Sequence, residues 1–191
     1  MSDTGGRTAR SRAAILQTAL DMCTEQSYAA VTMEAIATRA RVGKPTLYRW
    51  WPSKGALMLD ALRECLERRY GQPYFLIPDT GDLAADLRAW LHTMVEVFTD
   101  QQVRGLLAGV AGTAQHDPQL AAILKQEVYG PLSGHNRERI RRGQERGQGA
   151  GLDPHLLEDL LIAPLWYRLL VIDQPLGPDY ADRVIDAVLR P

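Results

Sequence analysis

The sequence predicts an all-α protein, with an N-terminal domain of three short helices in a helix-turn-helix layout and a longer C-terminal helical domain. Apolar residues recur at three- and four-residue steps along most of the 191-residue chain. Side chains that cap helices, and prolines that start them, stand just before several of these segments. No segment has the sustained apolar–polar alternation that is typical of a strand.

The N-terminal part of the chain begins with a polar stretch and two helical segments. Residues 1–12 are polar and glycine-bearing, and we expect them to be frayed. From Ser11 the apolar residues form one stripe that predicts a helix to about residue 26. Thr32 then precedes a second short helix, "MEAIATRA", and its hydroxyl is placed to cap the first amides.

A third helix is predicted from Lys44 to about Trp51. Gly43 is expected to allow the turn before it, either by adopting backbone angles closed to other residues or as an N-cap. Pro45 falls in the first turn, where its missing amide hydrogen costs little, and Pro52 ends the helix. Ser53 caps a fourth helix whose leucines at positions 59, 62 and 66 share one face.

The rest of the chain is predicted to be helical after a boundary. Two prolines and several turn residues in 71–81 indicate a linker between a domain of residues 7–70 and a second of residues 82–191. In the second domain, helices are predicted over about 82–100, 102–115, 118 onward with an interruption at 129–131, 154–171 and 179–189. Asp117-Pro118 and Asp153-Pro154 are start signals.

The distribution of charge indicates an anionic partner for the N-terminal domain. The whole chain has a net charge of −1, but residues 1–54 hold eight Lys and Arg against four Asp and Glu. The remaining residues hold fourteen against nineteen. A basic head on an acidic body is a reason to look for an interaction surface at the head.

Two short helices joined by a tight turn form the layout of a helix-turn-helix, in which the second helix enters the major groove of DNA. By helical angle, Ile36, Leu47 and Trp50 face the core, whereas Lys44, Thr46, Tyr48 and Arg49 project outward. Arg49 is compatible with contact to a base or to a phosphate, and Lys54 is a candidate phosphate ligand. Weaker candidates are Thr32, Arg39 and the arginines at positions 7, 10 and 12.

The stretch from Val31 to Leu62 resembles the DNA-binding domain of TetR-type transcriptional regulators. The matching residues are Thr32, Ile36-Ala37, Val42-Gly43, "TLYRWW" at 46–51 and Ser53-Lys54. The resemblance covers about residues 7–70. It implies a homodimeric, sequence-specific DNA-binding regulator, with a DNA-contacting set of Thr32, Gly43, Lys44, Pro45, Thr46, Tyr48, Arg49 and Lys54. Lys44-Pro45 departs from the serine or alanine and the glycine that many members have, which bears on the bases that are read.

The sequence contains no catalytic or metal-binding constellation. The four histidines are dispersed, and the spacings of metalloproteases, paired-cysteine metal sites, phosphate loops and serine hydrolases are all missing. Cys23 and Cys65 lie far apart and are expected to be small buried hydrophobes. We therefore predict a protein that is not an enzyme and has no cofactor and no metal.

The location of the protein is predicted from two features. The N-terminal stretch lacks the apolar core of a signal peptide, and the longest apolar run, residues 160–167, is too short to cross a bilayer. We expect a cytoplasmic protein with no membrane partner.

The run 160–167 is apolar on nearly every face, so it should be buried on every face. The simplest partner is a second copy of the chain, which would form a four-helix bundle; the alternative is a core helix within one chain. The predicted dimer interface consists of Leu157, Leu160, Leu161, Leu165, Tyr180, Val184, Ile185 and Val188.

A small apolar ligand is expected by analogy with the family, in a cavity of the second domain. The candidate lining residues are Trp90, Met94, Phe98, Leu107, Val110, Tyr129, Trp166 and Tyr167. For each of them, ordinary core packing is the competing interpretation. A ligand of this kind would favour a spacing of the two heads that fits the operator less well and would thereby lower DNA affinity.

Two other functions are compatible with the same residues. The protein could be an all-helical small-molecule-binding protein whose head does not bind DNA. Alternatively, it could be an adaptor that uses Trp50 and Trp51 to bind another protein. A steep loss of DNA affinity with salt favours the regulator over the first of these, and buried tryptophans, observed by fluorescence, would count against the second.

Overall fold

The computed structural model describes residues 3–71, 75–149 and 151–189, with side chains from Ser11 onward, and this part of the chain forms ten α-helices and no strand. The all-α prediction is therefore confirmed. None of the described helices is long and apolar enough to cross a membrane. The helices are α1 (Asp3–Glu25), α2 (Met33–Arg39), α3 (Lys44–Trp50), α4 (Lys54–Tyr70), α5 (Leu83–Thr99), α6 (Gln101–Ala114), α7 (Pro118–Ile123), α8 (Gly130–Glu145), α9 (Pro154–Tyr167) and α10 (Pro178–Leu189).

The predicted caps form the helix starts as expected. The hydroxyl of Thr32 accepts a hydrogen bond from the amide of Ala35 at 3.1 Å and so begins α2. Asp117 accepts from the Leu120 amide at 3.0 Å, and Asp153 from the Leu156 amide at 3.2 Å. Each cap satisfies an amide that has no partner within its own helix, which fixes where α2, α7 and α9 begin.

One prediction about the N-terminal part is wrong, and of the two alternatives for Gly43 the N-cap is confirmed. Helix α1 begins at Asp3 rather than at Ser11, so the polar start of the chain is helical. The left-handed residue of the turn between α2 and α3 is Arg41, with φ of 56°, whereas Gly43 is extended, with φ of −69° and ψ of 142°. Gly43 therefore acts at the N-cap position and does not supply a conformation that other residues lack.

One compact unit is formed by residues 1–70 and 101–120, so α6 packs with the helices of the head. A Cβ atom at Gly109 of α6 would overlap the ring of Tyr28, which shows how closely α6 approaches the turn before α2. The hydroxyl of Thr113 also donates to the phenol oxygen of Tyr28 at 3.0 Å. The division into domains of residues 7–70 and 82–191 with a linker at 71–81 stays a prediction.

The second unit comprises residues 71–100 and 121–191. Within it, buried polar side chains hold the segment before α5 in place. Arg139 of α8 is 2% exposed, donates to the carbonyl of Pro78 at 2.9 Å and pairs with Asp86 of α5. Burial tends to raise the pKa of Asp86, but the hydrogen bonds from Thr80 and Arg139 outweigh it and lower that pKa. Asp86 is therefore charged at neutral pH, and the segment at 78–80 is held to α5 and α8.

Short π-helical turns accompany two prolines of this unit. Leu124–Tyr129 forms one such turn just before Gly130-Pro131, and Arg168–Ile172 forms another just after α9, which contains Pro164. A proline lacks an amide hydrogen and crowds the turn before it, so the wider π-turn before Pro131 relieves both effects, whereas the π-turn at 168–172 follows Pro164 and is not explained by it. The predicted interruption at 129–131 is thus a change of helix type, because α8 starts directly at Gly130.

Replacing Arg41 by Gly is expected to stabilise the protein. Arg41 is exposed and has a positive φ, a conformation that costs a non-glycine residue about 1 kcal/mol and glycine almost nothing. We expect the free energy of unfolding in urea to rise by about 0.5–1 kcal/mol. Gly43→Ala serves as the control and should lower the free energy of unfolding by no more than about 1 kcal/mol, because alanine can adopt the extended backbone of Gly43 and only weakens the N-cap. A loss of stability for Arg41→Gly would contradict this assignment of the turn.

Candidate nucleic-acid interface

Helix α3 divides its side chains between the core and the surface as predicted. Leu47 is fully buried, while Lys44, Pro45, Tyr48 and Arg49 are exposed and Thr46 is half-buried. Tyr48 is 44% exposed, which is unusual for so large an apolar ring and leaves it available for contact. Within the described residues, Arg49 has no ion-pair or side-chain hydrogen-bond partner, so its guanidinium group is available to a ligand.

The end of α3 is anchored by Trp51. Its side chain is 3% exposed, and its indole nitrogen donates to a carboxylate oxygen of Asp60 in α4 at 2.8 Å. Arg12 of α1 pairs with the same carboxylate oxygen at 2.6 Å, so three helices meet at Asp60. The predicted core position of Trp50 is only half-buried; this ring packs edge-on against Trp51 with 5.5 Å between centroids.

Lys44 has an acidic partner on α2. Its ammonium nitrogen lies 3.4 Å from a carboxylate oxygen of Glu34, and both side chains are at least half-exposed. The pKa of Glu34 is lowered, first by hydrogen bonding to its own backbone amide, then by Lys44, with a smaller contribution from the hydroxyl of Tyr48. Glu34 is therefore ionised at neutral pH beside two of the four outward side chains of α3.

The predicted phosphate ligand Lys54 is engaged inside the head. Its ammonium nitrogen donates to the carbonyl oxygens of Tyr28 and Val31, each at 3.1 Å, and lies 4.4 Å from the centre of the Tyr28 ring. These contacts tie the start of α4 to the turn between α1 and α2. In this conformation two of its three N–H groups are used for structure.

The weaker candidates have other partners or fall outside the description. Thr32 uses its hydroxyl to cap α2. Arg39 pairs with Glu25 through both of its terminal nitrogens, and Arg12 binds Asp60. The side chains of the arginines at positions 7 and 10 lie outside those that the structure describes.

The two cysteines behave as structural residues. Both are free thiols, Cys65 is buried, and Cys23 is half-buried with its sulfur 3.6 Å from that of Met58. Burial raises the pKa of Cys23 to about 11, and the charge of Lys54 opposes this only in part. Cys23 is therefore protonated at neutral pH and is a poor nucleophile.

The candidate ligand-lining residues differ in burial and belong to both units. Trp90, Met94 and Phe98 are buried on α5, and the ring of Phe98 meets that of Trp166 edge-on at 4.8 Å. Tyr129 and Tyr167 are 44% and 53% exposed. The remaining two, Leu107 and Val110, are buried in the first unit. The indole nitrogen of Trp90 is already used, because it donates to the carbonyl of Phe75 at 2.9 Å.

The candidate dimer residues divide into two groups. Leu157, Leu161, Leu165 and Ile185 are fully buried within their own chain, so they form its core. Leu160 is 41% exposed, and Tyr180, Val184 and Val188 are half-buried. Further apolar side chains that the sequence interpretation did not select are exposed on α9 and the π-turn after it: Leu156, Tyr167, Leu170, Val171 and Ile172.

Two residues of this interface were missed by the sequence interpretation. Glu34 was missed because the predicted contact set contains no acidic residue. Its pairing with Lys44 depends on how α2 and α3 cross. Asp60 lies on α4, where helical spacing marks it only as a polar position. The spacing of Glu34 after the Thr32 cap could have indicated a charged first turn, but it could not have identified its partner.

Comparison with known proteins places both parts of the chain in one family. Residues 15–61 match the family model of bacterial regulatory proteins of the tetR family, and residues 77–188 match that of the tetracyclin repressor-like C-terminal domain. The crystal structure of the TetR family transcription regulator SCO0332 is 32% identical, covers 94% of this chain and 96% of its own, and superposes with a TM-score of 0.71.

Curated relatives have similar lengths. The HTH-type transcriptional regulator YdeS of Bacillus subtilis is 28% identical over 176 residues, which are 91% of this chain and 86% of YdeS. The DNA-binding transcriptional repressor TetR of Mycobacteroides abscessus is 28% identical over 178 residues, 93% of this chain and 90% of that protein.

Replacing Lys54 by Met is expected to destabilise the head. The substitution keeps the aliphatic stem but removes a charged donor from the carbonyls of Tyr28 and Val31, which should lower the free energy of unfolding by about 2 kcal/mol. Arg49→Met is the control, since this exposed side chain should change stability by less than about 0.5 kcal/mol. Equal stability of Lys54→Met and wild type, together with weaker DNA binding, would favour the phosphate-ligand role instead.

Proposed function

The chain belongs to the TetR family of bacterial transcriptional regulators, and we propose that within it this protein is a sequence-specific DNA-binding repressor that acts as a ligand-responsive homodimer. Membership indicates DNA-binding regulation and a function that is not enzymatic. A regulator of this kind acts on the chromosome, so we place it in the cytoplasm. The repressor assignment is supported by the relative from Mycobacteroides abscessus, which is a DNA-binding transcriptional repressor.

The observation that carries the proposal is the two-sided α3. Leu47 holds the helix in the core while Lys44, Tyr48 and Arg49 are exposed. A basic, exposed helix of a helix-turn-helix reaches base edges in the major groove with its side chains. We propose that Lys44, Pro45, Thr46, Tyr48 and Arg49 contact the operator, with Gly43 and Thr32 close to the DNA backbone, and that Lys54 supports them from within the head.

The homodimer is supported by the exposed apolar side of α9. Monomers rarely leave several large apolar side chains exposed together, and Leu156, Leu160 and Tyr167 follow one another at steps of four and seven residues. We propose that this side of α9, with Tyr180, Val184 and Val188 of α10, packs on its copy in a second protomer. The three leucines and one isoleucine that are buried in the chain, Leu157, Leu161, Leu165 and Ile185, then support the interface from behind.

A ligand that relieves repression would have to displace side chains that now form the core. Trp90, Met94 and Phe98 are each no more than 4% exposed, and Phe98 packs on Trp166. Opening this cluster for an apolar ligand would favour a second arrangement of the dimer. A difference in ligand affinity between the two arrangements would lower operator affinity by a coupling free energy of about 1–3 kcal/mol.

DNA binding is tested by the salt dependence of affinity. We expect the wild-type protein to lose affinity for duplex DNA steeply between about 50 and 200 mM salt, and to select a preferred sequence from random duplexes. Arg49→Ala should weaken operator binding. If Arg49 contacts a base, the loss of binding free energy should be about 1–3 kcal/mol; if it contacts a phosphate, the slope of log affinity against log salt concentration should become smaller by about 1. Lys125→Ala removes the same charge from an exposed position of the second unit and should leave binding unchanged.

The alternative, a helical ligand-binding protein with an inactive head, predicts the opposite result. In that case wild type and Arg49→Ala would show equal, weak retention on DNA at low salt, and selection from random duplexes would yield no preferred sequence.

The dimer is tested by Leu160→Glu. Leu160 is 41% exposed, so the chain should fold with a charge at this position, but a charge on each side of the interface should dissociate the dimer. Sedimentation should give the mass of one chain for Leu160→Glu and of two for the wild type. Ala122→Glu, a similar change at an exposed position of α7, should remain dimeric. A Leu160→Glu protein that is folded by circular dichroism yet still dimeric would place the interface elsewhere.

A further inference from the structure

Glu34 is an acidic side chain on a surface that is expected to meet an anion. It lies in the first turn of α2, directly after the Thr32 cap, and its carboxylate is 3.4 Å from the ammonium group of Lys44. Lys44 is the first residue of α3. The surface that carries Lys44, Tyr48 and Arg49 therefore also carries a negative charge, which is unfavourable next to phosphate.

The charge of Glu34 is maintained by the groups around it. Hydrogen bonding to its own amide and the charge of Lys44 lower its pKa, and the Tyr48 hydroxyl contributes. Glu34 pairs with Lys44, whereas Arg49 has no such partner among the described side chains. One of the four outward side chains of α3 is therefore paired with an acid before any DNA is bound.

This arrangement affects the two kinds of DNA binding differently. Non-specific binding depends almost entirely on cations that neutralise phosphates and release counterions. A lysine that is already paired with a carboxylate contributes little to that release. Specific binding adds hydrogen bonds and apolar contacts to base edges, which can compensate for the loss of the Glu34–Lys44 pair.

We propose that Glu34 is a specificity-determining residue, which suppresses non-specific DNA binding by pairing with Lys44 in the free protein. This inference rests on the proposed DNA-binding function and goes beyond it, since it assigns a role to a residue outside the predicted contact set. Glu34 acts through Lys44 and raises the ratio of operator affinity to background affinity.

The test compares Glu34→Gln with the full-length wild type on two duplexes, measured by fluorescence anisotropy. One duplex has a scrambled sequence, and the other is the sequence selected from random DNA by the wild type. For the scrambled duplex we expect Glu34→Gln to bind about 5–10-fold tighter near 0.1 M salt, with a log–log salt slope steeper by about 0.9, which corresponds to one additional phosphate contact. Affinity for the selected duplex should change less, so the ratio of the affinity for the selected duplex to that for the scrambled duplex should fall.

Two further variants separate this role from trivial causes. Glu67→Gln removes the same charge from an exposed position of α4 and should leave both duplex affinities unchanged. Adding Lys44→Ala to Glu34→Gln should abolish the extra salt dependence, because the released lysine is then missing. Thermal unfolding of each variant shows whether the fold is intact.

The outcomes distinguish this inference from the function on which it rests. If wild type and Glu34→Gln bind the scrambled duplex with equal affinity and equal salt slope, the role of Glu34 is refuted while DNA binding stands. A Glu34→Gln protein that is less stable but has an unchanged slope also refutes it, since the pair is then only structural. If the wild type binds no duplex at low salt, both proposals fall together.

Discussion

The head depends on the burial of one side of a seven-residue helix. A helix as short as α3 is not stable alone in water, because forming its first turn costs more conformational entropy than its few hydrogen bonds return. Its position is therefore determined by Leu47, which is fully buried, and by Trp51, whose indole is bonded to Asp60. Any side chain on the outer side of α3 is held only as accurately as these two residues hold the helix.

That constraint explains why so many polar contacts of the head are structural. Asp60 joins Trp51 of the α3 end to Arg12 of α1, and Lys54 joins the start of α4 to the turn at Tyr28. Charged groups that composition alone would assign to DNA binding are thereby used to fix α3 and α4. The basic excess of residues 1–54 overstates the charge that is available to a phosphate, since the partners of Arg12, Arg39 and Lys44 are acidic.

Local signals in the sequence were sufficient for the helix starts and for the inner and outer sides of α3. A cap such as Thr32 or Asp153 acts within four residues, and helical angle separates Leu47 from Arg49 without knowledge of the rest of the fold. What could not be predicted depends on contacts between distant residues. Lys54 was assigned to phosphate because its carbonyl partners lie more than twenty positions away. The positive φ of Arg41 depends on how α2 and α3 cross, and no local signal in the sequence marks this residue for it.

The dependence on contacts between distant residues also applies to α9. Which side of this helix is buried within the chain, and which side is left for a second copy, links folding to dimer formation. Sequence shows that this helix is apolar on nearly all sides, but not which side its own chain covers. Leu157, Leu161 and Leu165 are covered from within, whereas Leu156, Leu160 and Tyr167 are left exposed. If a second copy covers the exposed side, as we propose, binding of the partner adds to the stability of the folded chain by mass action. Folded stability would then depend on protein concentration, and the pairing that presents two heads to DNA would also be what makes α9 favourable in water.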